Sequence, residues 1–399
     1  MKDSYKCYEK VLIVIVTAIV LCFSVHVRAS GVGNKESAQE IVNEYFSLIG
    51  NDWDKFAELY TNEQINSFKN FLENEKNIRE YVGVLNVRKA KLIESIEIKY
   101  DDVKDMIDED YTGKKIKIFA VGADYDVYED TKYFSEGIIY NFLILEEQNG
   151  QWRVNTLMQI ADPSLLKMKG YHFQSDYNIT ENIMEARENG YLVNGKGKVF
   201  SDINEKEIDG SLVDEYAILN KRTVPTDDTT ISYGTYKNGV YQNRKSIKFH
   251  DYCKGVSAGE VRGKSFDGTA RKAVDIAIKT YTWHYKIVPI DPTHSVDIKN
   301  TMQSYKPEKI SENKKVTSDY NAVKNIWMES YKGNIFAAGD YNSSGKNGGR
   351  LMQNGCRYLV DKKKYSFYQC LHYYYDYSID GSTGGPLRFF DNNKIDLGK

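Results

Sequence analysis

Between Leu92 and Ile160 the hydrophobic pattern changes from the period of a helix to that of a strand, and this change restricts the fold more than any other feature. Strand-like segments run from Leu92 to Tyr100, Lys115 to Val121, Gly137 to Glu146 and Trp152 to Ile160. Asn149-Gly150 joins the last two, a pair suited to the positive backbone angles of a tight hairpin. Ahead of them, Ala38, Ile41, Val42, Tyr45, Phe46 and Ile49 recur at helical spacing behind Ser37, and Phe56, Leu59, Ile65, Phe68 and Phe71 continue the pattern. The expectation is α+β, with helices first and then a meander of antiparallel strands over residues 35–162.

Residues 163–228 are polar and weakly periodic, with the glycine-rich "NGYLVNGKGKVFSD" in the middle, and read as a linker with scattered strands. From residue 229 a second domain is expected to run to residue 399, opening on a hairpin about Asn238-Gly239. In "FHDYCKGVSAGEV" Tyr252, Val256 and Glu260 stand one turn apart, which predicts a helix ending near Glu260, just before Gly263. Ala270, Ala273, Val274, Ala277, Ile278, Tyr281 and Tyr285 then mark one buried face of a longer helix.

The N-terminus points to export. Lys2, Lys6 and Lys10 precede the apolar run Val11 to Phe23, and Val27-Arg28-Ala29 offers compact side chains where a signal peptidase reads. That run is shorter than the ~20 residues of a spanning helix, so residues 1–29 read as a signal peptide ahead of a membrane anchor. In either case the remainder is expected on the outer side of the cytoplasmic membrane or in the wall. The 54 basic and 56 acidic residues nearly cancel, which gives no field suited to nucleic acid and leaves an uncharged polymer as a natural partner. Cys253, Cys356 and Cys370 remain after the leader and imply no disulfide framework, although a Cys356–Cys370 bridge is open.

Glu260 is the residue with a case for chemistry. A helix C-terminus carries partial negative charge and disfavours a second one, which would favour the protonated carboxyl a general acid needs; Arg262 and Lys264 would oppose this. Alone, such a Glu is more often an exposed surface residue. Rival sets are weaker. His250-x-x-Cys253 and Cys370-x-His372 have metal-ligand types, but buried core thiols account for them better, so neither metal nor cofactor is expected. The "SSGKNGG" run lacks the Lys-Ser or Lys-Thr of a phosphate loop.

"DYCKGVSAGEV" followed by "TARKAVDIAIKTYTWHY" resembles the stage II sporulation protein D and amidase-enhancer family, in which a tyrosine-containing helix ends in the catalytic Glu and an Ala-rich helix follows. "DIKNTMQSY", "AVKNIWMESYKGNIFAAGDYNS" and "NGGRLMQNGCRYLVDKKKYSFYQCLHYYYDYS" resemble later blocks of that family, in the same order over residues 229–378. The resemblance implies a peptidoglycan lytic transglycosylase with Glu260 catalytic. It also implies substrate-binding roles for Lys279, Gln303, Tyr305, Gln353, Asn354, Tyr374 and Tyr375. Lys279 stands where the family usually has Arg, Met352 where it often has Ser, and the loop between Tyr341 and Gln353 is short. These departures support an alternative, a non-catalytic glycan-binding or amidase-modifying wall protein. Residues 35–162, with "AQEIVNEYFSLIGNDWDKFAELYT" leading and "NFLILEEQNGQWRVNTL" closing, resemble the cone-shaped nuclear transport factor 2-like fold. In a third reading this part docks the chain to a membrane-associated cell-envelope complex.

Overall fold

The computed structural model describes residues 37–399 apart from 105, 108–110, 112, 161–162, 175–176, 209–222, 262–265, 267, 342–348, 377–384 and 394. The expected leader therefore lies outside the described residues, as do Arg262, Gly263, Lys264 and most of the "SSGKNGG" run. No described helix is long and apolar enough to cross a membrane.

Ser37 starts α1 (Ala38–Leu48) with a reciprocal capping box to Glu40, so two otherwise orphaned donors are satisfied at the first turn. The second expected helix is broken into α2 (Trp53–Glu58) and α3 (Ile65–Glu73), followed by α4 (Glu75–Arg79). The break has a cause. Thr61 donates to Val154 O and Val154 donates to Leu59 O, so the chain leaves the helix to pair with the sheet edge. The sheet itself is the antiparallel meander β1 (Val87–Ile98), β2 (Ile116–Val127), β3 (Gly137–Gln148) and β4 (Gln151–Gln159), with a short α5 (Tyr100–Val103) between β1 and β2. Asn149 and Gly150 both have positive φ, 53° and 80°, as the tight β3–β4 turn requires.

Alternation along β3 buries both faces of this sheet. Leu143 and Leu145 face the helices α1 to α3, in a core with Val42, Tyr45, Phe46 and Phe56. Phe142 and Ile144 face the other way, in a core shared with Tyr177, Met184 and the elements that follow. Residues 163–228 accordingly differ from the expected linker with scattered strands. They contain α6 (Pro163–Met168), α7 (Tyr177–Glu188) and the hairpin of β5 (Tyr191–Val193) with β6 (Val199–Asp202). Helix α7 escaped the periodicity count because its buried face includes Thr180 and Arg187 among the apolar residues.

The C-terminal half begins with the hairpin β7 (Thr230–Lys237) and β8 (Val240–Lys248), followed by α8 (Phe249–Glu260) and α9 (Gly268–Ile287). A short β9 (Ile298–Lys299) lies parallel to β7. Then come α10 (Lys314–Val323), β10 (Ile326–Glu329), β11 (Asp340–Tyr341), β12 (Leu351–Met352), α11 (Gln353–Lys363), α12 (Phe367–Tyr375) and β13 (Arg388–Asp391), which pairs with β10. Helix α9 is the axis of this half, with α8, α10, α11 and α12 packed around it; even its Arg271, Asp275 and Lys279 are buried. The whole is mixed α+β, and Ser37–Lys399 forms one compact unit.

Candidate active site

Helix α8 forms because Phe249, Tyr252, Cys253 and Val256 make one buried stripe at helical spacing. It ends at Glu260, and the Val261 N–H caps it by donating to Ser257 O at 3.1 Å. On a neighbouring face, Gly255 and Gly259 stand four residues apart and leave a shallow groove. Residues 303–306 run through it, with the Lys306 N–H donating to Gly255 O at 3.0 Å. A Cβ on Gly255 would lie 2.4 Å from the Tyr305 ring, and one on Gly259 would lie 1.7 Å from Ser304 O. Only glycine permits this approach.

The groove sets the geometry of the carboxylate. The Ser304 N–H donates to Glu260 Oε1 at 2.6 Å, so the side chain that ends the helix is held by the segment crossing it. Among the described residues no other group hydrogen-bonds its carboxylate. Next in the crossing segment, Tyr305 is half-buried over Gly255 and stacks on Tyr252 with ring centroids 5.1 Å apart, and Lys245 Nζ lies 5.3 Å from the Tyr305 centroid. Gln303 is buried, its Oε1 accepting from Tyr252 OH at 3.2 Å and from Thr282 OH at 3.4 Å. Burial, with the nearby charge of Glu260 among smaller causes, pushes the Tyr252 hydroxyl well above its ordinary range, so it stays a neutral donor.

Glu260, Gln303 and Tyr305 are thus brought together, and Ser304, Gly255 and Gly259 join them. Sequence reasoning passed over these last three. The Gly-x-x-x-Gly spacing was the available signal, but its meaning depends on what crosses the helix.

Lys279 takes a different place from the one expected. It is fully buried, and its ammonium donates to Val323 O, Lys324 O and Ile326 O at 2.6, 2.8 and 2.6 Å, over the face of Trp327. All three donors are used to tie the end of α10 to the start of β10, which leaves none for a sugar. Tyr374 and Tyr375 are likewise core residues, 1% and 0% exposed, with Tyr375 OH donating to Gly339 O at 2.8 Å. Neither offers a face to a ligand; the exposed member of that run is Tyr373. Gln353 and Asn354 open α11, the first buried and the second exposed, on an element packed against α9. Cys253, Cys356 and Cys370 are buried free thiols, so the open Cys356–Cys370 bridge is not formed.

A second carboxyl lies beneath α8. Asp275 is fully buried beside Ser257 and Arg271, without a hydrogen bond to either oxygen. Burial, only partly offset by Ser257 and Arg271, raises it to about 7. It has no route to a substrate, but it carries a pH dependence. In the folded chain Asp275 holds its proton up to about pH 7, whereas unfolded it releases it near the ordinary ~3.9. The folded state then binds more protons between these values, so stability is full below about pH 4 and is lost as pH rises toward 7. From this group alone, the unfolding free energy from urea titrations should fall by on the order of 1 kcal/mol per pH unit across that window, and Asp275→Asn should flatten the trend. An unchanged slope in the variant would show that other groups set it.

Compared with protein-family models and with curated proteins, the sequence matches none of either.

Proposed function

We propose that this chain is an exported peptidoglycan lytic transglycosylase, with Glu260 serving as both acid and base at the bond between N-acetylmuramic acid and N-acetylglucosamine. The observation that carries the reading is the seating of Glu260. Its carboxylate is oriented at a helix end by the N–H of Ser304, the residue before Tyr305 in the crossing segment, and no other described group hydrogen-bonds it. In the reaction Glu260 gives its proton to the glycosidic oxygen as the anomeric C–O bond breaks. The resulting carboxylate then takes the proton of the muramyl 6-hydroxyl, whose oxygen closes on the anomeric carbon. One carboxyl group completes the cycle and no water is consumed, which suits a site whose neighbouring acid, Asp275, is sealed off. The sequence resemblance to the stage II sporulation protein D family supports the same reading. The order of helices then meander supports a nuclear transport factor 2-like N-terminal part that docks to a cell-envelope complex.

The reading is tested by incubating the purified chain with wall sacculi and separating the soluble fragments. New fragments ending in 1,6-anhydromuramic acid are expected; fragments with free reducing ends, or none at all, would refute it. Tyr305→Ala should raise KM by about tenfold with kcat changed less, since the ring offers a stacking face and no proton. An equal fall in kcat would instead place Tyr305 in the chemistry.

One observation favours a second reading, a non-catalytic glycan-binding or amidase-modifying protein. With Lys279, Tyr374 and Tyr375 inside the core, Tyr305 is the expected platform that remains partly open. Retention of the chain on sacculi without any released fragment would support that alternative.

A further inference from the structure

Two of the three buried thiols lie side by side. Cys356 stands in α11 and Cys370 near the start of α12, and both helices pack on α9. Both side chains are fully buried in the core around that helix. Cys370 Sγ lies 4.0 Å from the Cys356 carbonyl oxygen, Cys356 Sγ lies 3.9 Å from the Ala270 carbonyl oxygen, and the two thiols are close enough to hydrogen-bond each other. The chain between the helices is short and well defined. Lys364, with a left-handed φ of 58°, stops α11, and the reciprocal capping box of Ser366 with Gln369 starts α12. This turn returns Cys370 to Cys356 whenever the two helices dock.

Other uses of the pair fit less well. A metal would need further ligands, and among the described residues no group of three His, Cys, Asp or Glu could hold one; the Nδ1 of His372 is 2.9 Å from Asp376. A catalytic thiol needs exposure and a lowered pKa, whereas the neighbouring Cys370 and burial push the Cys356 thiol far up. Thiols chosen only to fill volume need no neighbour of their own kind. Cys253, the third, packs beside the hydroxyls of Thr282 and Tyr320.

Export, on which the setting of this inference rests, would put the pair in an oxidising exterior, where adjacent thiols become disulfides. We infer that Cys356 and Cys370, free in this structure, join as a disulfide while the exported chain folds, with a small-molecule disulfide as oxidant. One cysteine thiolate attacks a sulfur of the oxidant, whose S–S bond breaks and releases a thiolate with the electron pair. The second cysteine thiolate then attacks the protein-side sulfur of the mixed disulfide, and the other half of the oxidant leaves. Two cysteines are oxidised, the oxidant is reduced to two thiols, and the two cysteine protons end on them. The closed core excludes the oxidant, so the bond forms before α12 has docked fully. It closes a loop of about 15 residues and fixes α11 to α12.

The test is to refold the full chain from denaturant in a buffer of oxidised and reduced glutathione, alkylate the remaining thiols and map the peptides by mass spectrometry. The Cys356 and Cys370 peptides should be joined, lighter by two hydrogen atoms than the separate pair, and Cys253 should be alkylated. The thermal midpoint of the oxidised chain should exceed that of the chain kept in dithiothreitol by roughly 5 °C. Cys253→Ser should keep this difference, and Cys370→Ala should abolish it. The inference is overturned if Cys356 and Cys370 are both alkylated after refolding, if they are found only as glutathione adducts or joined to Cys253, or if the joined chain melts no higher than the reduced one. No wall substrate enters these measurements, so their outcome is independent of the activity proposed for Glu260.

Discussion

Glu260→Gln is expected to lower release of soluble wall fragments by roughly 10²- to 10⁴-fold, the usual contribution of a positioned acid–base group. The substitution keeps the size of the side chain and an oxygen to accept from the Ser304 N–H, now 2.6 Å from Oε1. It removes only the capacity to give and take a proton. Affinity for sacculi and the thermal midpoint should therefore stay within error of the wild type, and the loss should appear in kcat. A variant that releases fragments at the wild-type rate would remove Glu260 from the chemistry. One that loses binding as well would assign it to recognition.

Gly259→Ala should be nearly as damaging, without touching any group that reacts. In an ordinary helix interior this change stabilises by about 1 kcal/mol, since alanine has the higher propensity. Here the new methyl would stand 1.7 Å from the Ser304 carbonyl oxygen, a backbone atom that cannot rotate away. The crossing segment must move, at a cost of about 1–3 kcal/mol. The N–H that orients Glu260 moves with it, and a displacement on the order of 1 Å at a reacting group costs about 10²-fold in rate. Gly255→Ala provides the contrast. Its methyl would meet the Tyr305 ring at 2.4 Å, and a ring can tilt, so the smaller loss is expected there. Denaturant midpoints and fragment release, measured on both variants, check the order; equal effects would show that the groove does not set the position of Glu260.

Local patterns were legible wherever they rest on residues close together in sequence. The meander, the Asn149-Gly150 turn, the Ser37 cap and the end of α8 at Glu260 all follow from such patterns. Burial on more than one side obscured the rest. The sheet has core on both faces, so the chain after residue 163 packs back onto it as α7, whose buried Arg187 bonds Gln159 inside the protein and hides the helical stripe. Lys279 read as a cation for a ligand, because its actual partners are backbone carbonyls on α10 and β10, about 45 residues away in sequence, and no side-chain pattern marks a carbonyl. Tyr374 and Tyr375 were chosen for having a polar tip, but they stand four residues after Cys370 and Leu371 on the buried face of α12, where a tyrosine buries its ring as an apolar residue does.

Cleavage of wall glycan in water enriched in oxygen-18 tests the central claim most directly, because the proposed cycle passes a single proton through Glu260 and consumes no water. Mass spectrometry of the muramyl ends released by the wild-type chain should show 1,6-anhydro termini without label, and Glu260→Gln should show none above background. Labelled reducing ends from the wild type, or anhydro ends undiminished in Glu260→Gln, would contradict the account.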